Sequence, residues 1–111
     1  MRPVSVGVSP TAAVLTTVFT VPTAYYAKFT VMYIHNTGGS TKHITVAWYD
    51  ASTATSYDIL TTYDFTSKAY LQFDGNAYMV LEEGDKIQIT TQAGSTFSFI
   101  ATFEVEGAQR I

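Results

Sequence analysis

Residues 96–106 alternate with a period of two. Phe97, Phe99, Ala101, Phe103 and Val105 fall on one side, and Thr96, Ser98, Thr102, Glu104 and Glu106 on the other. Successive side chains of a strand point to opposite faces of the pleat, so an aromatic row opposed by Thr and Glu predicts a strand with one face on a core and one in water. Ile100 is the exception, a large apolar residue on the polar side.

The rest of the chain repeats this grammar. Val4, Val6 and Val8 alternate with Ser5 and Gly7 before Pro10, which reads as a short first strand or as an arm able to dock elsewhere. The β-branched run 14–21 predicts a second strand, stopped by Pro22, which has no N–H for a ladder. Residues 25–36 predict a long third strand with Ala27, Phe29, Val31 and Tyr33 on one face and Lys28, Thr30 and Met32 on the other. The turn Asn36-Thr37-Gly38-Gly39-Ser40 is expected to close a hairpin onto a fourth strand, 41–50, whose buried face is Ile44, Val46 and Trp48. Residues 50–56 form a small polar loop, by composition a tolerant tip. Further strands are expected over 57–63, 69–73 (closing at Asp74-Gly75-Asn76) and 78–81. After the Glu83-Gly84-Asp85 turn, 86–92 and 96–106 are expected to form a terminal hairpin through Ala93-Gly94-Ser95. Eight to ten short strands with no helical stretch predict an all-β, antiparallel two-sheet sandwich, immunoglobulin-like or jelly-roll-like. One domain over residues 1–111 is expected, with 1–10 a candidate docking arm.

Only 14% of the residues are charged, against roughly 25% in an average soluble protein. Either Thr and Ser replace charge on the outer faces, or part of the surface is covered by a partner. A net charge of -3 supplies no basic footprint for nucleic acid. With no cysteine, neither a disulfide framework nor a thiolate zinc site is available. The N-terminal residues lack a continuous apolar secretory segment, and no apolar run is long enough for a membrane span. A chain starting at Met1 and reading almost at once as strand is expected to be whole, made in a cytoplasm and used unprocessed.

Catalytic chemistry finds little support. His35 and His43 flank the Gly38-Gly39 turn, but a metal site needs three or four ligands. The acidic turns at Asp74-Gly75-Asn76 and Glu82-Glu83-Gly84-Asp85 use the default turn residues and miss the helix-loop-helix calcium spacing. Asp50, Asp58 and Asp64 have no spacing that makes a glycosidase pair, and nucleophile-elbow, phosphate-loop and dinucleotide motifs are absent. No catalytic, cofactor or metal residue is therefore expected. Among the aromatics, Trp48 falls in phase with the core, whereas Tyr49, Tyr57 and Tyr63 are candidates for an exposed patch, suited to a protein interface more than to a sugar.

Four pieces, taken in order, carry a resemblance. They are Val18-Phe19-Thr20-Val21-Pro22-Thr23-Ala24 with Ala27-Lys28-Phe29-Thr30, then Ile34-His35-Asn36-Thr37, then Val46-Ala47-Trp48-Tyr49-Asp50-Ala51-Ser52, then Leu81-Glu82-Glu83-Gly84-Asp85-Lys86-Ile87. In order and spacing, over about residues 12–106, the chain resembles small β-sandwich virion proteins of tailed bacteriophages. The resemblance implies a non-enzymatic part, either a capsid decoration (cement) protein or an accessory component of tail or neck. Its partners would be other virion proteins and further copies of itself, a trimer being among the expected states, with no nucleic acid, membrane or cofactor. It carries over no site residue, because the matched positions are turn and core. On the cement reading, contacts are expected from Val4, Val6 and Val8, from the 50–58 loop and from the end segment 107–111 with Ile111. A tail or neck subunit, a carbohydrate-binding module and a trimeric signalling-type jelly roll are the other readings.

Overall fold

The computed structural model describes residues 2–73 and 78–107. Among them are nine strands: β1 (Arg2–Val8), β2 (Thr16–Thr20), β3 (Tyr25–Asn36), β4 (Lys42–Asp50), β5 (Thr55–Phe65), β6 (Tyr70–Phe73), β7 (Met79–Leu81), β8 (Lys86–Thr91) and β9 (Phe97–Gly107). They form two antiparallel sheets. The first has the order β1-β9-β3-β6, with β7 also on β3, and the second has the order β2-β8-β4-β5. The pairs nest as β1 with β9, β2 with β8, β3 with β6 and β7, and β4 with β5. A long hairpin has been rolled so that its arms alternate between two layers, which is jelly-roll topology and not the immunoglobulin order.

That topology corrects two expected hairpins. The Gly38-Gly39 turn leads from β3 in one sheet to β4 in the other, and the Ala93-Gly94-Ser95 turn leads likewise from β8 to β9. Glycine-rich turns mark where a chain reverses and leave open which strand it then pairs with. The second strand is also shorter than expected, and Val14 and Leu15 before it are exposed. The expected turn at Asp74-Gly75-Asn76 lies outside the described residues.

A β-bulge corrects the phase of β3. Phe29 pairs with Phe103 and Val31 with Thr102, so Thr30 is the extra residue, its hydroxyl donating to the Thr102 carbonyl at 3.2 Å. A bulge inserts one residue, and a one-residue slip sends every later side chain to the opposite face. Ala27 and Phe29 face the core before it. After it Met32, Ile34 and Asn36 are buried, while Val31 and Tyr33, expected with Ala27 and Phe29, turn outward.

The core lies between the sheets. β9 supplies Phe97, Phe99, Ala101 and Phe103, all buried, as its alternation predicts. The Phe103 ring stacks on Phe19 of β2 at 4.3 Å and on Phe29 of β3 at 5.0 Å, tying the two layers together at one point. Ile44, Val46, Ile87 and Ile89 close the opposite wall.

Candidate functional site

Each end of the sandwich is organised by one buried polar side chain. At one end Asp85 is buried and accepts three hydrogen bonds. Trp48 Nε1–H and the Glu82 amide reach Oδ2 at 3.1 and 3.0 Å, and the Ala51 amide reaches Oδ1 at 3.0 Å. The Asp85 carbonyl accepts from the Val21 amide, and the Gly84 amide donates to the Val21 carbonyl, both at 3.0 Å. Gly84 has φ +84°, and a Cβ there would meet the Ala51 Cβ at 3.0 Å, so both backbone conformation and close approach require glycine. Three of the separated sequence pieces thus converge on one corner, through Val21, Ala51 and Asp85. The 50–56 loop is anchored there through Ala51 and is less of a free tip than its composition implies.

At the other end Asn36 is fully buried. Its Nδ2 donates to the carbonyls of Ser40, Phe65 and Thr66 at 2.9, 3.0 and 3.2 Å, and its Oδ1 accepts from the Gly38 amide at 3.0 Å. One amide therefore holds the crossing from β3 to β4 against the end of β5. Buried polar groups need such partners, and these two side chains spend their capacity on the fold.

The candidate chemical groups are not assembled. His35 lies in the first sheet opposite Ser98 and Tyr70, and His43 lies in the second opposite Asp64, so the turn between them does not pair them. Among the described residues no group of three or more His, Asp or Glu side chains is placed to hold a metal ion. Trp48 is half-buried, in phase with Ile44 and Val46, with its N–H taken by Asp85 and its ring stacked on Tyr57 at 5.5 Å.

The sequence-derived interface candidates separate. Val4, Val6 and Val8 pair with Phe103, Ala101 and Phe99 and pack on the chain's own core, so the expected arm is an edge strand in full register with β9. Their side chains are partly buried against the core, because the period that makes them a row also turns that row inward. Tyr49 lies under the Lys86 ammonium, 5.3 Å from the ring centroid. Tyr57 and Tyr63 are half-exposed on the edge strand β5. Ile111 lies outside the described residues. β5 carries two register shifts, and Thr62 at its bulge has φ +41° with its amide on Thr45 Oγ1 at 3.0 Å. Bulges twist an edge away from straight pairing, so the β5 flank offers side chains more than a backbone ladder.

Among the described residues, two exposed apolar surfaces stand out. A groove of about 170 Å³ opens on the flank between β5 and the first sheet, lined by Ile59, Phe73, Tyr78 and Met79 over the Thr30 bulge. The other is the outer face of the first sheet, where Ile100 sits between Gly7 and Tyr33 in register. Ile100, the exception in the alternation, is the signal that points to this face. Tyr33 was not legible, because only the bulge turns it outward.

At the start of β3, on the same face, Tyr26 Oη–H donates to the Glu106 carboxylate. That bond holds Glu106 below its ordinary value and raises Tyr26 above its own. A carboxylate whose folded pKa is depressed adds stability that is present above its unfolded pKa and lost as pH falls through the folded one. Tyr26→Phe is expected to move the Glu106 midpoint upward in a carboxyl-carbon NMR titration. An unmoved midpoint would show that the phenol does not set it.

No protein-family model and no curated protein matches the chain. Solved structures do. A structure of Bacillus endospore appendages, described as disulfide-linked pili, superposes with TM-score 0.55 at 15% identity, covering 97% of this chain and 87% of that one. Two structures of infectious bursal disease virus, of the Gt strain and of the T13 particle, superpose with TM-scores 0.50 and 0.52 at 13% and 9% identity. They cover 94% and 96% of this chain but 32% and 35% of the viral chains, so this chain spans about a third of their length. The fold is one shared with components of pili and virus particles. Having no cysteine, this chain has no counterpart to the appendages' disulfide links.

Proposed function

We propose that this protein is a non-enzymatic structural component of an assembled particle, and within that class a capsid decoration protein of a tailed-phage virion that binds the assembled head and stabilises it. The observation that carries the reading is the division of labour in the fold. Asp85 and Asn36, a buried carboxylate and a buried amide, are consumed in holding corners, whereas exposed apolar groups that include Ile100, Tyr33, Tyr57 and Tyr63 lie on a sheet face and a flank suited to protein contact. The fold shared with pilus and virus-particle components supports it, as does the resemblance over residues 12–106. Contacts with capsid subunits are assigned to the β5 flank with Tyr57 and Tyr63, to Tyr49 beside it, and to the end segment with Ile111. A rigid sandwich bridging neighbouring subunits adds buried area that resists pressure from packaged DNA.

Quantitative mass spectrometry of purified virions tests this. On the order of hundreds of copies per particle are expected for a decoration protein, and about six to twelve for a tail or neck ring. Particles stripped of the protein should release DNA at lower temperature and recover on its addition. Absence of the chain from particles would end the virion reading.

A further inference from the structure

Two depressions follow one another along β7. The first is the apolar groove, whose wall includes Tyr78 and Met79. The second, also of about 170 Å³, lies at the corner that Asp85 holds and is lined by Trp48, Asp50, Ser52, Val80, Glu82 and Asp85. Tyr78, Val80 and Glu82 are all exposed and succeed one another at every second position, so in extended chain they project on one side at intervals of about 7 Å and lead from groove to pocket. The two differ in chemistry. Three carboxylates and an indole line the pocket, and the hydrogen bonds that fix them come from neutral donors. Asp85 is 2% exposed and held by the Trp48 indole and two amides. Asp50 Oδ1 accepts from the Ser52 amide at 3.1 Å and from its hydroxyl at 2.7 Å. The lysines of the flanking strands lie over other rings, Lys86 over Tyr49 and Lys28 over Tyr78.

We propose that this flank receives an extended segment of a partner protein, which presents an arginine to the pocket of Asp50 and Glu82 and a large apolar side chain to the groove beside Tyr78. The inference rests on the proposed structural role and names what the partner presents on this flank. Charge complementarity selects a cation, because three carboxylates share the pocket and no described lysine or arginine side chain lines it. Among the described residues no three acidic side chains are placed to close on a metal ion. A guanidinium is a wider cation, planar with five N–H donors, so it reaches carboxylates that a single ion does not, and its flat face suits an indole. The row from Tyr78 to Glu82 sets the spacing. A segment lying along it needs its apolar residue and its arginine two or four positions apart, where an extended chain turns both to the same side.

Titration of the isotopically labelled full chain with the peptide acetyl-Leu-Thr-Ser-Thr-Arg-amide, followed by NMR, is the test. The Trp48 indole N–H and the Ala51 amide, both donating to Asp85, report on the pocket, and the Met79 amide reports on the groove. Saturable shifts at all three are expected, with dissociation in about the millimolar range because the ion pair is open to water. Gln in place of the peptide's Arg, Ala in place of its Leu, or Asp50→Asn together with Glu82→Gln in the protein should each weaken binding by about fivefold or more. Asn at position 50 keeps an oxygen for Ser52 and Glu82 is exposed, so the double variant should keep the wild-type circular dichroism spectrum. Absence of shifts, equal binding of the Gln peptide, or unchanged affinity in the double variant would overturn the proposal. Shifts at the same groups on diluting the free protein would give the pocket to a second copy, and shifts on Arg110→Gln would give it to the chain's own end; either result overturns it as well. Occupancy on purified particles reads the structural role separately. Loss of the double variant from particles that hold the wild type supports the proposal, whereas equal occupancy overturns it and leaves the structural role standing.

Discussion

Replacing Asp85 by alanine is expected to cost about 3–5 kcal/mol, a third or more of the stability of a typical small domain. The carboxylate accepts from Trp48 Nε1, the Glu82 amide and the Ala51 amide, and two of those donors are backbone groups with no second acceptor in view. Hydrogen bonds to charged groups contribute about 1.5–3 kcal/mol each, and water entering beside the half-buried indole recovers part of the loss. Asp85→Asn should fall between. Its amide has one acceptor oxygen, so either that oxygen keeps Trp48 and Glu82 while the NH2 faces the Ala51 N–H, or the reverse. Urea unfolding read by Trp48 fluorescence measures both variants. A loss below about 1 kcal/mol for the alanine variant would mean that the corner is held by the Val21 backbone pairing alone.

Phe103→Ala is expected to cost a comparable amount, about 3–5 kcal/mol, by a different route. Its ring is fully buried between Phe19 and Phe29, which come from opposite sheets, so truncation opens a cavity that neither layer can close by moving alone. Phe103→Leu refills most of the volume and should cost only about 1–2 kcal/mol. Three residues earlier on the same strand, Ile100→Thr should stay within about 0.5 kcal/mol because Ile100 faces outward. The contrast between neighbouring apolar residues is the sharpest check on the phase of β9. Equal losses at the two positions would place both in the core.

Much of this was legible in the residues. The alternation of β9 identified its buried row, and Ile100 stood out in it as the residue with another task. The run of strands and turns pointed to a sandwich, and Glu83-Gly84-Asp85 to a tight turn. The failures have one physical character. Asn36 was read as a turn residue, yet its amide is a buried tie whose three acceptors lie up to thirty positions away. The valines of β1 were read as a short strand or an arm, and what makes them a strand of this sheet is a row matched to Phe99, Ala101 and Phe103 at the far end of the chain.

Strand character, the places where the chain reverses and the inward side of an uninterrupted strand are local properties, set by side-chain period and turn chemistry, and the sequence by itself determined them here. Which strands pair, and so whether a glycine turn closes a hairpin or crosses between sheets, was decided by the packing of the two layers. The phase of β3 beyond Thr30 belongs there too, because a bulge is defined by the partner strand: without β9 opposite, nothing marks Thr30 as the extra residue, and with it Tyr33 turns from the core to the surface.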